Sequence, residues 1–263
     1  QYIVRRVLSA IPVVVGISIL VFSMMHLLPG DPVDSMTMEQ RITPETRAAI
    51  RKELGLDQPI VTQYLNYVKG AFRGNLGRSI RSRRPVWDEI RFRYVNTLKL
   101  AVTSLVVAIF VGVGAGVLAA RYKDSWLDNA LMVFCLIGIS VPSFWLGLLM
   151  IYLFVLTLHL LPVAGSGWQG IVMPSIALGF MAAASTARMT RSAMLDVMRA
   201  DYVTTARSKG APENRVLFKH ALKNALIPVL TIIGLVFGDF LGGAFIVESV
   251  FAYNGLGALG VSS

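Results

Sequence analysis

The sequence predicts an all-α protein, a polytopic bundle of membrane helices in which five spans are visible. Three observations carry this. Hydrophobic residues make up 55% of the 263 residues, charged residues only 15%, and mean hydropathy is +0.63; a single soluble domain would have difficulty hiding that much apolar surface. Apolar runs long enough to cross a hydrocarbon layer of about 30 Å recur along the chain. The net charge of +10 sits in the loops between those runs rather than along an aromatic-studded face, which argues against nucleic acid and for lipid and an acidic partner.

The chain opens on Gln1 rather than Met, so its start reads as trimmed. Arg5 and Arg6 precede the first span, Val7 to Leu28, which lacks a small-residue cleavage site and is read as retained, with a cytoplasmic N-terminus. Its exit, His26-Leu27-Leu28-Pro29-Gly30-Asp31-Pro32, stops the helix with two prolines and a glycine. Residues 29–97 form a long polar excursion. Thr43 before Pro44 and Glu45 is a helix start, Leu54-Gly55 a stop, and from Pro59 a second amphipathic helix places Ile60, Tyr64, Tyr67, Val68 and Ala71 on one face. The excursion is basic, but long segments are largely exempt from the positive-inside bias, so it is placed outside the cytoplasm.

Residues 98–263 read as the transmembrane core. Leu98 to Ala120 is the second span, in which Gly112 and Gly116 permit close approach of another helix. Arg121, Lys123, Asp124 and Asp128 follow as a short cytoplasmic turn. The third span, Leu131 to Leu158, is long enough to tilt or to bend at Pro142. Backbone carbonyls freed near Pro142 and Ser143 either face a substrate path or belong to a kink satisfied by neighbouring helices. The fourth span, Ile171 to Ala187, presents Ala182, Ala183, Ala184 and Ser185 as a small packing face.

Between the fourth and fifth spans lies the polar stretch 188–223. Its bases outnumber Asp196, Asp201 and Glu213, which fixes it as cytoplasmic. Local chemistry gives two short helices and a sharp corner: Gly210 suits the left-handed residue that closes the first, Pro212 the first turn of the second, and Glu213 that helix's positive end. An elbow exposing Arg207, Lys209 and Arg215 is a docking surface for a soluble partner. The fifth span, Ala225 to Ile246, carries Gly234, Gly238 and Gly242 at four-residue spacing, a ridge suited to helix packing. Asp239 in the same helix attracts a cationic substrate or lines a water-filled path, or else is a structural acid paired with a polar neighbour or sitting near the outer interface.

Several strings carry a resemblance. Asp201-Tyr202-x-x-Thr205-Ala206-Arg207-x-Lys209-Gly210 followed by His220-Ala221-x-x-Asn224-Ala225-x-x-Pro228 resembles the cytoplasmic loop of permease subunits of binding-protein-dependent ABC importers, in the dipeptide, oligopeptide and nickel branch. The His26 to Pro32 exit, Leu54 to Pro59, Gly74-Asn75-Leu76-Gly77, Ser140 to Trp145 and Glu248 to Gly257 are similar to the same branch. The general signature of the family is Glu-Ala-Ala, three residues, then Gly; here Thr204-Thr205-Ala206 precedes Gly210 and the glutamate is absent. Tyr253-Asn254 stands where members typically have Trp-Pro, and Asn254-Gly255 still makes a tight turn.

The resemblance implies that Asp201, Tyr202, Thr205, Ala206, Arg207, Lys209 and Gly210 couple the chain to an ATPase subunit. It further implies a second homologous permease, two ATPase subunits carrying ATP and Mg, and an extracytoplasmic substrate-binding protein. The chain itself would bind no cofactor. A bacterial inner-membrane location, one further span beyond Ser263, and short peptides as substrate follow, with nickel or metal chelates and glutathione-like compounds behind them.

Catalysis has no support. No GxxxxGK[ST] loop, His-Glu-x-x-His or Gly-x-Ser-x-Gly string is present, and His26, His159 and His220 fall at three different span ends, so spacing assembles neither a catalytic nor a metal site. Cys135 inside an apolar run reads as a small hydrophobe. Two readings from other classes remain: an ion-coupled transporter or channel, for which inverted repeats are expected and none is visible, and an anchoring subunit with no path of its own.

Overall fold

The structure, a computed structural model, describes residues 2–27, 43–53, 55–79, 82, 84–163 and 167–262. It resolves into two compact units, Gln1–Arg91 and Phe92–Ser263. Among the described residues there are helices and one isolated bridge, Arg78 to Pro85, but no extended strand.

In the first unit, α1 (Tyr2–Leu27) is the first span, and Leu28 to Pro32 of its expected exit lie outside the described residues. Helix α2 (Pro44–Glu53) starts where the sequence places it, with the Thr43 hydroxyl accepting from the Thr46 amide at 3.4 Å. Gly55, at φ +68°, ends it. Helix α3 (Ile60–Phe72) turns Tyr64, Val68 and Ala71 inward, while Ile60 and Tyr67 of the expected face stay exposed. Tyr64 meets Ser18 at 2.8 Å and stacks edge-on against Phe22, and Gln63 reaches His26 at 3.3 Å, so α3 is fastened to α1.

Helix α4 (Val86–Arg121) begins twelve residues before the expected second span. Its first turns carry Asp88, Glu89, Arg91 and Arg93, so no hydropathy signal marks them, yet the acids sit at the helix's positive end. At about 1.5 Å per residue it runs about 54 Å, well beyond a membrane's hydrocarbon core.

The second unit is built around α7 (Gln169–Met198), whose most apolar window is 67% buried, against 39% for α4. Close approach is achieved with glycine. A Cβ added to Gly112 or Gly116 of α4 would stand 2.7 Å from Ala183 O or 2.5 Å from Ala187 O of α7, and one on Gly179 of α7 would stand 2.7 Å from Ser104 O of α4. Without a hydrophobic drive between helices in lipid, such contact is what holds two spans together. Ala182, Ala183 and Ala184 are buried as the sequence predicts.

Helices α5 (Trp126–Ser140) and α6 (Ser143–Met150, continued by a π-helical stretch Ile151–Thr157) occupy the expected third span, but meet at 99°. This is a break rather than a tilt. Val141 and Pro142 are both extended, with ψ of 119° and 137°, because the residue before proline is driven out of helical space. Thus, among the described residues, four helices are long and apolar enough to span, and five spans result if the bent pair crosses as one.

After α8 (Asp201–Ser208), the turn α9 (Glu213–Arg215) and a π-helical stretch Val216–Leu222, α10 (Lys223–Gly243) packs Ala225, Val229, Ile233 and Phe240 inward. It ends at Gly243, short of the expected Ile246, at a turn on Ala244 with φ −68° and ψ −3°; α11 (Phe245–Val250) and α12 (Leu256–Ser262) complete the described chain.

Candidate functional site

The elbow between α7 and α10 is a locked corner. Gly210 adopts φ +76°, and its amide donates to Arg207 O at 2.9 Å while Ala211 donates to Ala206 O at 3.2 Å, closing α8 as the sequence predicts. Pro212 then caps α9. Across the corner the Arg207 guanidinium grips Glu213 with two hydrogen bonds, Nη2 to Oε1 at 2.8 Å and Nε to Oε2 at 3.2 Å. Those bonds lift Arg207 above its ordinary guanidinium value, against a smaller opposing effect of burial.

Underneath, apolar side chains fix the elbow to the bundle. Val203 of α8 is fully buried, and Leu217, Ala221 and Ala225 pack with Val117 and Ala120 of α4 and Ala193 and Met194 of α7. Arg121 at the end of α4 donates to Asn214 Oδ1 at 3.0 Å, and Asn224 donates to the Tyr202 hydroxyl at 2.8 Å. A shallow cavity of about 480 Å3 opens on the outside of this corner, lined among others by Tyr202, Thr205, Lys209, Gly210, Arg215 and His220.

The structure therefore brings together most of the expected coupling residues. Tyr202, Thr205, Ala206, Lys209 and Gly210 line the cavity, and Asp201 opens α8, its carbonyl accepting from the Thr205 hydroxyl at 2.9 Å. Arg207 stands apart: it is absent from the lining and committed to Glu213, so its geometric task is to hold the corner.

The other expected residues do not converge. Pro142 and Ser143 form the break between α5 and α6. The Pro142 carbonyl is taken by the Leu146 amide at 3.1 Å. Gly234, Gly238 and Gly242 of α10 face away from the rest of the second unit, with nothing among the described residues within 4 Å of the positions their Cβ atoms would occupy. Asp239 is exposed on the same helix and makes no hydrogen bond or ion pair among the described residues.

Two acids are buried where the sequence did not foresee it: Asp128, expected in the cytoplasmic turn but lying in the first turn of α5, and Glu248. Asp128, 1% exposed, takes both Arg191 Nε and Nη2 at 2.6 Å and accepts from the Asp124 amide at 3.0 Å, tying the start of α5 to α7 near the elbow. Glu248, fully buried, accepts from the Thr97 hydroxyl at 2.6 Å and from the Ala258 amide at 3.1 Å, fastening α4, α11 and α12. Gly255 must be glycine there, because a Cβ would overlap the Glu248 carboxylate. Ala252, at φ 48°, is left-handed, and the Gly255 amide donates to Tyr253 O at 2.8 Å, which closes a tight turn at Asn254. A Ser125-x-x-Asp128 cap was the available sign of the first acid; nothing in the sequence points to the second.

The family described as the inner membrane component of binding-protein-dependent transport systems matches residues 112–263, and its N-terminal companion matches residues 1–101. Glutathione transport system permease proteins of Escherichia coli strains CFT073 and K12 are each 44% identical over 264 residues, covering 100% of this chain and 86% of theirs. That of Shigella flexneri serotype 5b is 43% identical over the same span. A crystal structure of an amino acid ABC transporter with histidines superposes with a TM-score of 0.52 at 17% identity, covering 66% of this chain and 77% of that one, which supports the fold. The chain belongs to the binding-protein-dependent transport family as a multi-pass permease subunit of an ABC importer, working with an ATPase and a binding protein.

Proposed function

We propose that this subunit moves short peptides, glutathione foremost, into the cell, and that the elbow of α8 and α9 is where an ATPase subunit engages it. The observation that carries the reading is the locked corner itself: Gly210, Pro212 and the Arg207–Glu213 pair hold a small cavity open above a packed base. A rigid knob transmits a push, and a floppy loop would absorb it. The 44% identity to glutathione permeases along the whole chain supports the substrate. Tyr202, Thr205, Ala206, Lys209 and Gly210 then make the contact, with Asp201 starting the helix and Arg207 setting the angle.

In this reading two ATPase subunits hold ATP and Mg, the chain itself catalyses nothing and binds no cofactor, and its N-terminus is cytoplasmic. A second homologous permease completes the path. The open face of α10 with Gly234, Gly238, Gly242 and the unpaired Asp239 meets it, since a carboxylate left against lipid is costly. The break at Pro142 and Ser143 contributes backbone to that path. Nickel and metal chelates are the second substrate class of this branch.

The test is uptake of labelled glutathione, a dipeptide and nickel by proteoliposomes carrying the complete importer, with and without ATP and the binding protein. ATP-dependent uptake of glutathione or the dipeptide is expected. Nickel uptake alone would move the substrate, and uptake by this chain alone under an ion gradient would overturn the mechanism.

A further inference from the structure

At the end of the second unit away from the elbow, one face of α4 carries Phe92, Asn96, Lys99 and Thr103 at helical spacing and borders a cleft of about 760 Å3. Trp168, at the start of α7, and Asn254, after α11, border it too. The volume lies within the range of small-molecule sites, which run from about 300 to about 1,000 Å3.

The hydrogen bonds around this cleft leave a definite remainder. The Asn96 amide donates to Asn254 O at 2.9 Å, the Tyr253 hydroxyl to Asn96 O at 3.1 Å, and Thr103 meets Ser175 at 2.7 Å. These bonds, with the buried Glu248 and Thr97 beneath them, fix the walls. The Lys99 ammonium, the Trp168 indole N–H and the Asn254 carboxamide make no hydrogen bond or ion pair among the described residues. Phe92 and Trp168 are 67% and 69% exposed, leaving two broad aromatic faces uncovered.

Lys99 stands at the entrance to the second span, after Asn96, Thr97 and Leu98 and before Leu100, Ala101 and Val102, where its ammonium calls for an anionic or aqueous neighbour. Among the described residues no acidic side chain borders the cleft. One full positive charge, two uncommitted polar groups and two aromatic faces around a walled space form the complement of a small peptide with a free carboxylate.

We propose that this cleft is a recognition site on the permease itself for a small peptide bearing a free C-terminal carboxylate, held by the Lys99 ammonium, with Trp168 and Asn254 reading its amide edges. The proposal rests on the small-peptide importer reading above and adds selectivity within the membrane subunit. A lipid phosphate is the other source of an anion for Lys99, and the experiment separates the two.

The complete importer is reconstituted with wild-type chain, Lys99→Gln and Lys99→Arg, in phosphatidylcholine vesicles and in vesicles containing phosphatidylglycerol. ATP-driven uptake of labelled glutathione is compared with that of its C-terminal amide, both at concentrations saturating the binding protein, whose own preference is shared by all three variants. Lys99→Gln is expected to lower glutathione uptake relative to the amide by about tenfold, the scale of one charge-assisted hydrogen bond, and Lys99→Arg to restore the wild-type ratio. A wild-type ratio kept by Lys99→Gln, an equal loss on both substrates, or a loss that follows vesicle lipid rather than the substrate carboxylate overturns the site. Absence of ATP-driven uptake of either substrate by the wild type overturns the substrate reading, and the site with it.

Discussion

Gly210 and the Arg207–Glu213 pair make separable contributions to the elbow. At φ +76° Gly210 occupies backbone space that proline, fixed near −65°, cannot enter, and its amide donates to Arg207 O. Gly210→Pro should therefore open the corner without touching membrane insertion. Uptake falls at least about tenfold, equivalent to about 1.4 kcal/mol of coupling, while ATP hydrolysis by the assembled complex continues. Parallel measurement of uptake and phosphate release checks this, and normal uptake by the variant would remove the coupling role. The ion pair is a lesser matter, since Arg207 and Glu213 side chains are 37% and 52% exposed and such a pair is worth about 1 kcal/mol at most. Arg207→Ala and Glu213→Gln should impair uptake mildly and equally, with the double variant no worse than either. A deeper defect in Arg207→Ala alone would mean that the guanidinium touches the ATPase directly.

Helices meet through two kinds of contact here, and one of them was readable. Gly112 and Gly116 announce close packing by spacing alone, and the structure seats α7 against them. The ridge Gly234, Gly238 and Gly242 has the same spacing but meets no described residue of the second unit, because small residues license an approach without naming the helix that makes it. Hydropathy located the spans, and capping chemistry located α2 and the elbow. What stayed hidden was long-range: Asp128 finds Arg191 across 63 positions and Glu248 finds Thr97 across 151, pairings that no local pattern encodes. The right angle at Pro142 was hidden as well, since a proline kink and a full break look alike until Val141 is seen to be extended. Asp128→Ala should be the costliest of the element-scale changes. It strands a partly buried Arg191 and also removes the acceptor for Asp124, a loss of about 3 kcal/mol for a pair broken on one side. Thermal unfolding of the detergent-solubilised importer, followed by loss of its monodisperse peak, reads this out; Asp128→Asn, which keeps one acceptor, should fall between wild type and alanine.

For the whole molecule, the question is what covers α10. Its inward face is filled by Ala225, Val229, Ile233 and Phe240, whereas Gly234, Gly238 and Gly242 meet nothing among the described residues of the second unit and the carboxylate of Asp239 has no partner among the described residues. In lipid that face would expose an unpaired acid, so a second permease is the economical occupant. Gly238→Leu discriminates sharply, because the added side chain enters open space in this subunit and should leave its own fold unchanged, yet it fills the groove a neighbouring helix would need. Overpacking of that kind costs about 1 to 3 kcal/mol at a tight contact, enough to reduce co-assembly about five- to a hundredfold. Affinity purification through a tag on this chain, with the partner permease quantified against it, should give a depleted partner and an unchanged yield of this subunit. Full recovery of the partner in Gly238→Leu would place the contact on another helix and leave Asp239 facing water within a path that this chain shapes alone.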